Sequence, residues 1–92
     1  MNYELSWNEA KRQNNIKKHG VDFKIIVDFD WKTALILEDT RYDCGECRYQ
    51  ALGYVGDRLH VLAFTPRDSV VHIISLRKAN HREVNAYEQQ EN

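Results

Sequence analysis

Ninety-two residues, 42% of them hydrophobic and 11% aromatic, suffice for one core and exclude both general disorder and a second domain. The longest apolar stretch, residues 59–64, is far too short to cross a bilayer, and the first residues lack the basic-then-apolar pattern of a signal peptide. Two cysteines three positions apart exclude a disulfide framework, so the expectation is one cytoplasmic domain over residues 1–92, with free thiols and no membrane contact.

The first element is predicted from Ser6-Trp7-Asn8-Glu9, which reads as a capping box: the Ser6 hydroxyl and Glu9 carboxylate serve each other's backbone amides. A helix follows to about His19, and Gly20 supplies the positive φ that ends it. Lys17, Lys18 and His19 occupy the last turn, where cations complement the helix dipole. Asp22 starts a second, short and heavily apolar helix, with Val21 stapled onto Ile26.

The periodicity then changes to that of strands. Residues 33–37 predict a first strand and residues 48–55 a second. Gly56-Asp57 is a hairpin turn leading into a third strand over residues 59–64, the buried centre of the sheet. Pro66-Arg67-Asp68-Ser69 turns the chain into a fourth strand over residues 70–76, antiparallel to the third. Asn80 and Glu83 repeat the capping pattern and open a C-terminal helix carrying Val84 and Tyr87. The expected class is α+β: an antiparallel sheet of about four strands, two N-terminal helices and one C-terminal helix.

The net charge of −1 hides a segregation. Residues 1–20 hold four bases and two acids, residues 21–47 three bases and seven acids, and residues 48–92 six bases and five acids. Residues 11–19 and 72–82 contain no acid at all. If these two segments meet, they build a positive surface on a nearly neutral protein; otherwise they are ordinary solvated faces.

Cys44-Gly45-Glu46-Cys47 has the spacing of a zinc or redox motif. A zinc site needs two more ligands that no second Cys pair or His-x-x-x-His supplies, and the redox motif needs a helix where this pair runs into a strand. Incidental thiols and no metal are expected. His60 and His72 fall inside strand patterns, where a hydrogen-bonded, half-buried imidazole is the usual finding.

Arg48 starts one strand, Arg67 lies in a turn and Arg77 ends the fourth strand, so a meander is expected to bring the three together. Guanidinium groups bind phosphate bidentately and stabilise the charge of a pentavalent phosphoryl transition state. RNA carries its own nucleophile, the 2′-hydroxyl, so its cleavage needs positioning, proton transfer and charge stabilisation but no metal. His19, whose type titrates near neutral pH, is a candidate proton carrier, unless it is simply a cation at a helix C-terminus.

Trp7-x-x-x-Lys11 or Arg12, then Asn15-x-x-Lys18-His19-Gly20-Val21-x-Phe23, then Glu46-x-Arg48, Thr65-x-Arg67 and Ile73-Ile74-Ser75-x-Arg77-Lys78-Ala79, run in this order along nearly the whole chain. This series resembles the BrnT toxins of type II toxin-antitoxin systems. The resemblance implies a RelE-like fold, an RNA endonuclease that stops translation, and a BrnA-type antitoxin with a ribbon-helix-helix DNA-binding part through which alone the chain would reach DNA. Carried over residue by residue, it points to Lys18, His19, Glu46, Arg48, Arg67 and Arg77 around the cleavage site; beside it, Lys17, Lys18, Lys78 and Arg82 are expected to bind the RNA backbone. Arg48 and Arg77 would hold the phosphate, and His19 or Glu46 would move protons. Two departures stand out: His72 occupies a position where the family often has arginine, which would weaken phosphate binding, and Cys44 and Cys47 flank the Glu-x-Arg motif. The alternative is an inactive module that docks a partner protein or nucleic acid through its basic face.

Overall fold

The computed structural model describes residues 3–39 and 46–91. Its elements are β1 (Glu4–Trp7), α1 (Glu9–His19), a 3₁₀ helix (Phe23–Asp28), β2 (Leu35–Asp39), β3 (Arg48–Val55), β4 (Arg58–Arg67), β5 (Val70–Lys78) and α2 (His81–Glu91). The strands form one sheet in the order β1-β5-β4-β3-β2. β2 through β5 are an antiparallel meander, whereas β1 lies parallel to β5.

The sheet is therefore mixed and five-stranded, not four-stranded and antiparallel. The expected capping box dissolves with the same finding. Ser6 lies inside β1, and Asn8 is the N-cap of α1, its side chain accepting a bond from the Lys11 amide at 3.1 Å. Glu9 turns instead to Arg12 and Gln13 one turn along. Gly20 does close α1 as expected, with φ 71° and its amide on the Ile16 carbonyl. The second N-terminal helix is 3₁₀ rather than α. Asp22 caps it through the Lys24 amide, and it stops after six residues where the Phe29 amide bonds back to the Ile26 carbonyl.

One face of the sheet buries the larger core. Phe23, Ile26 and Phe29 pack there against Ala51, Leu62, Phe64, Ile73 and Leu76, with Leu5 and Trp7 of β1 at the side. β4 is the central strand, and Leu62 is wholly buried. At the other face Val84 and Tyr87 of α2 pack on Leu35, Leu52, Tyr54, Leu59 and Val61. The Tyr87 hydroxyl donates to the Thr33 carbonyl at 2.6 Å and ties α2 to the approach of β2.

β5 carries one irregularity that matters for the site. Ser75 stands opposite Ala63 and Ile73 opposite Phe64, so Ile74 is an extra residue in β5. Strict alternation from Leu76 would turn Ile74 and His72 toward the core. The bulge gives those places to Ile73 and Val71 and puts His72 on the opposite face.

Candidate active site

α2 packs on one end of its sheet face. Beyond Leu52 and Val61, strand alternation presents Gln50, Ala63 and Ser75, which lie opposite one another on β3, β4 and β5. The next row crosses four strands. Arg48 precedes Tyr49, which pairs with Phe64, and so extends that ladder toward Thr65; Thr65 pairs with His72, and His72 lies beside Ser6 of β1.

Glu46 and Arg67 meet at the margin of this row. Arg67 donates from Nε to Glu46 Oε2 at 2.6 Å and from Nη2 to Oε1 at 3.0 Å, a bidentate pair. Arg67 holds the Glu46 carboxyl below its ordinary range, and the Arg48 charge, with that of His72 when protonated, acts in the same direction. The pair remains open to solvent, with the side chains 49% and 54% exposed. Asp68, which follows in the β4–β5 turn, takes φ 56°, a left-handed conformation that aspartate tolerates better than most residues.

His72 is half-buried, with Nδ1 2.7 Å from the Ser6 hydroxyl oxygen. Burial lowers its pKa below the ordinary value, and the Arg67 and Lys11 charges push the same way while Glu46 opposes them. Lys11 reaches this neighbourhood from the first half of α1. His60 is bound differently, its Nδ1–H donating to the Arg58 carbonyl at 2.9 Å.

α1 also joins the two acid-free basic segments. Asn15, buried, bonds the Leu76 carbonyl at 2.7 Å and the Leu76 amide at 3.1 Å, so residues 11–19 and 72–82 do meet. Beyond Asn15, Lys17, Lys18 and His19 continue along α1, away from Lys11. His19 is eight residues past Lys11, about 12 Å along the helix axis. It also shares a helical stripe with Arg12, whose guanidinium turns to Asp22 at 2.8 Å.

Arg77 is on the same sheet face, opposite Val61. That is four residues along β4 from Thr65, about 13 Å at the strand rise. The expected meeting of three arginines is thus realised for Arg48 and Arg67 only. β3 begins and β4 ends at one edge of the sheet, whereas β5 runs away from that edge and leaves Arg77 at the other. There Arg77 donates to both Glu83 oxygens at 2.7 Å. Glu83 also accepts from the Asn80 amide, and Asn80 from the Glu83 amide, each at 2.9 Å, closing the expected capping box of α2. Lys78 and Arg82 are exposed near Arg77.

Cys47 is an exposed free thiol; Cys44 lies outside the described residues. Among the described residues no three His, Cys, Asp or Glu side chains gather as metal ligands. No described helix is long and apolar enough to cross a membrane.

The sequence model of the family described as ribonuclease toxin, BrnT, of type II toxin-antitoxin system matches residues 7–83. This chain belongs to the BrnT family. Among solved structures it is similar to the crystal structure of the Brucella abortus ribonuclease toxin, BrnT, at 30% sequence identity, covering 86% of this chain and 99% of that one, with a TM-score of 0.67. A comparison with curated proteins finds no match. The BrnT match takes in α1, the Glu46-x-Arg48 and Thr65-x-Arg67 segments, and Arg77 with its partner Glu83.

Four site residues were not singled out from the sequence as working together. Lys11 and Asn15 stood in the quoted motif without a role. Ser6 was read as a helix cap, and His72 as a strand residue standing where the family often has arginine, with no role in the chemistry. A strand-period reading of Glu4-Leu5-Ser6-Trp7 is the signal that finds Ser6, because Leu5 and Trp7 alternate with it into the core.

Proposed function

We propose that this BrnT-family chain is an RNA endonuclease that uses the RNA 2′-hydroxyl as nucleophile, with no metal or other cofactor, and thereby stops translation and growth in the cytoplasm. The observation that supports this reading is the grouping of Arg48 and Arg67 around a solvent-exposed Glu46, in a chain whose family is one of ribonuclease toxins. Arg48 and Arg67 hold the scissile phosphate and stabilise the charge that develops on it. Glu46, ionised at neutral pH, orients Arg67.

RNA then runs across the face toward Arg77. Lys17, Lys18, Lys78 and Arg82 follow its backbone there, which suits exposed cations whose contacts carry little sequence information. Arg77 joins them once a phosphate competes with Glu83.

A BrnA-like antitoxin silences the enzyme by laying an acidic or amphipathic segment over the arginines. A ribbon-helix-helix part of that antitoxin contacts DNA, and a chain with net charge −1 reaches DNA only through the complex. The second reading, an inactive docking module, is favoured by one observation: Arg67 and Arg77 are both already engaged by carboxylates.

Purified chain incubated with end-labelled RNA in excess EDTA separates the two. Cleavage leaving 2′,3′-cyclic phosphate ends, reduced about a hundredfold or more in Arg48→Ala and Arg67→Ala, is the expected outcome. Intact RNA with the wild-type chain selects the docking module.

A further inference from the structure

We propose that His72 is the general base of this chain, with Ser6 as the residue that positions its imidazole; the proposal rests on the ribonuclease reading above. The family resemblance offers arginine at this position, so the inference comes from the geometry of this chain alone.

Three features carry it. The extra residue in β5 turns His72 out of the core and into the row that holds Arg48 and Thr65. The Ser6 oxygen lies 2.7 Å from Nδ1; in the tautomer that acts as base, Ser6 accepts the Nδ1 proton and the Nε2 lone pair is left for a substrate. Ser6 can do this only because β1 lies parallel to β5 with Ser6 beside His72. The surrounding groups suit a neutral imidazole. Arg67 and Lys11 disfavour its protonation as burial does, Glu46 alone favours it, and Arg48 lies in the same row.

Glu46 is less suited to the task, being ionised and engaged at both oxygens by Arg67. In the step assigned to His72, the 2′-O–H bond breaks and its proton passes to Nε2. The oxygen's electron pair forms the O2′–P bond. The P–O5′ bond breaks, and the leaving oxygen takes a proton from water. The imidazolium then returns its proton to solvent, leaving a 2′,3′-cyclic phosphate and a 5′-hydroxyl.

The test is the pH dependence of single-turnover RNA cleavage by the wild-type chain, His72→Gln and Ser6→Ala, beside an NMR titration of the His72 imidazole in the wild type. The expected wild-type rate rises with pH, and the midpoint of its acid limb coincides with the His72 titration. His72→Gln should lose a hundredfold or more and show no such limb. Ser6→Ala should keep the limb, move its midpoint and lower the rate less. An active wild type with an equally active His72→Gln overturns the proposal and spares the ribonuclease reading. An acid limb that departs from the His72 titration also overturns it, whether or not His72→Gln folds. A wild type that cleaves no RNA overturns the ribonuclease reading and His72's role together.

Discussion

Asn15 stands in for a missing strand beside Leu76. Trp7 is the last residue of β1, so β5 beyond Ile73 has no strand on that side. The Asn15 amide fills the gap, donating to the Leu76 and Val21 carbonyls and accepting the Leu76 amide 61 positions away. One buried side chain thereby docks α1 on the sheet and brings the two basic segments together.

Asn15→Ala leaves the Leu76 amide and carbonyl without partners in a buried place. The expected loss is about 2–4 kcal/mol, read as a lower urea midpoint with unchanged slope. Asn15→Asp should cost a similar amount, since a carboxylate accepts the amide but faces two carbonyls.

At Gly53 the ring of Phe29 lies against the backbone. An added Cβ would meet the Phe29 ring 2.5 Å away, closer than two carbons can approach. Gly53→Ala is expected to cost about 1–3 kcal/mol through displacement of Phe29 and its partner Trp31, visible as altered near-ultraviolet circular dichroism and a lower melting temperature.

The Arg77–Glu83 pair predicts a pH-dependent share of stability. Arg77, with help from the Asn80 amide, lowers the Glu83 pKa below its ordinary 4.5 in the folded chain. Its contribution is therefore complete above pH 4.5 and is lost as the pH falls through the lower folded value. Arg77 is 37% exposed, so screening keeps the effect to roughly 1 kcal/mol. In denaturant titrations the stability gap between wild type and Glu83→Gln should be constant from pH 5 to 7 and close below that window, because the other carboxylates titrate equally in both.

Much of the meander was legible because its signals are local. The β3 bounds, the Gly56-Asp57 hairpin and the Asn80–Glu83 box all follow from residues close in sequence. β1 was hidden for the opposite reason: four residues that acquire strand character only by pairing with a segment 66 positions later also satisfy a helix-cap pattern. The bulge at Ile74 was equally invisible. Ile73 and Ile74 are equally apolar, so alternation in Val70-Val71-His72-Ile73-Ile74-Ser75-Leu76 assigns either face to His72, and only the packing of Ile73 and Leu76 decides.

The candidate site divides along the same line. Glu46, Arg48 and Arg67 lie at the adjoining ends of two consecutive strands, a grouping that follows from a hairpin read in sequence. Arg77 was assigned to the same end because its strand is adjacent, but strand direction carries it about four residues away and into the cap of α2. Helix periodicity alone also could not choose a face for His19. The bond from Arg12 to Asp22 shows which way its stripe turns.

The most direct test of the central claim is induction of this chain and of its Arg48→Ala, Arg67→Ala double variant from a tightly repressed promoter, with growth followed and RNA 5′ ends mapped. The account predicts growth arrest and new 5′-hydroxyl ends for the wild type and neither for a double variant present at equal abundance. Unimpaired growth with intact RNA, or equal cutting by the double variant, would contradict it.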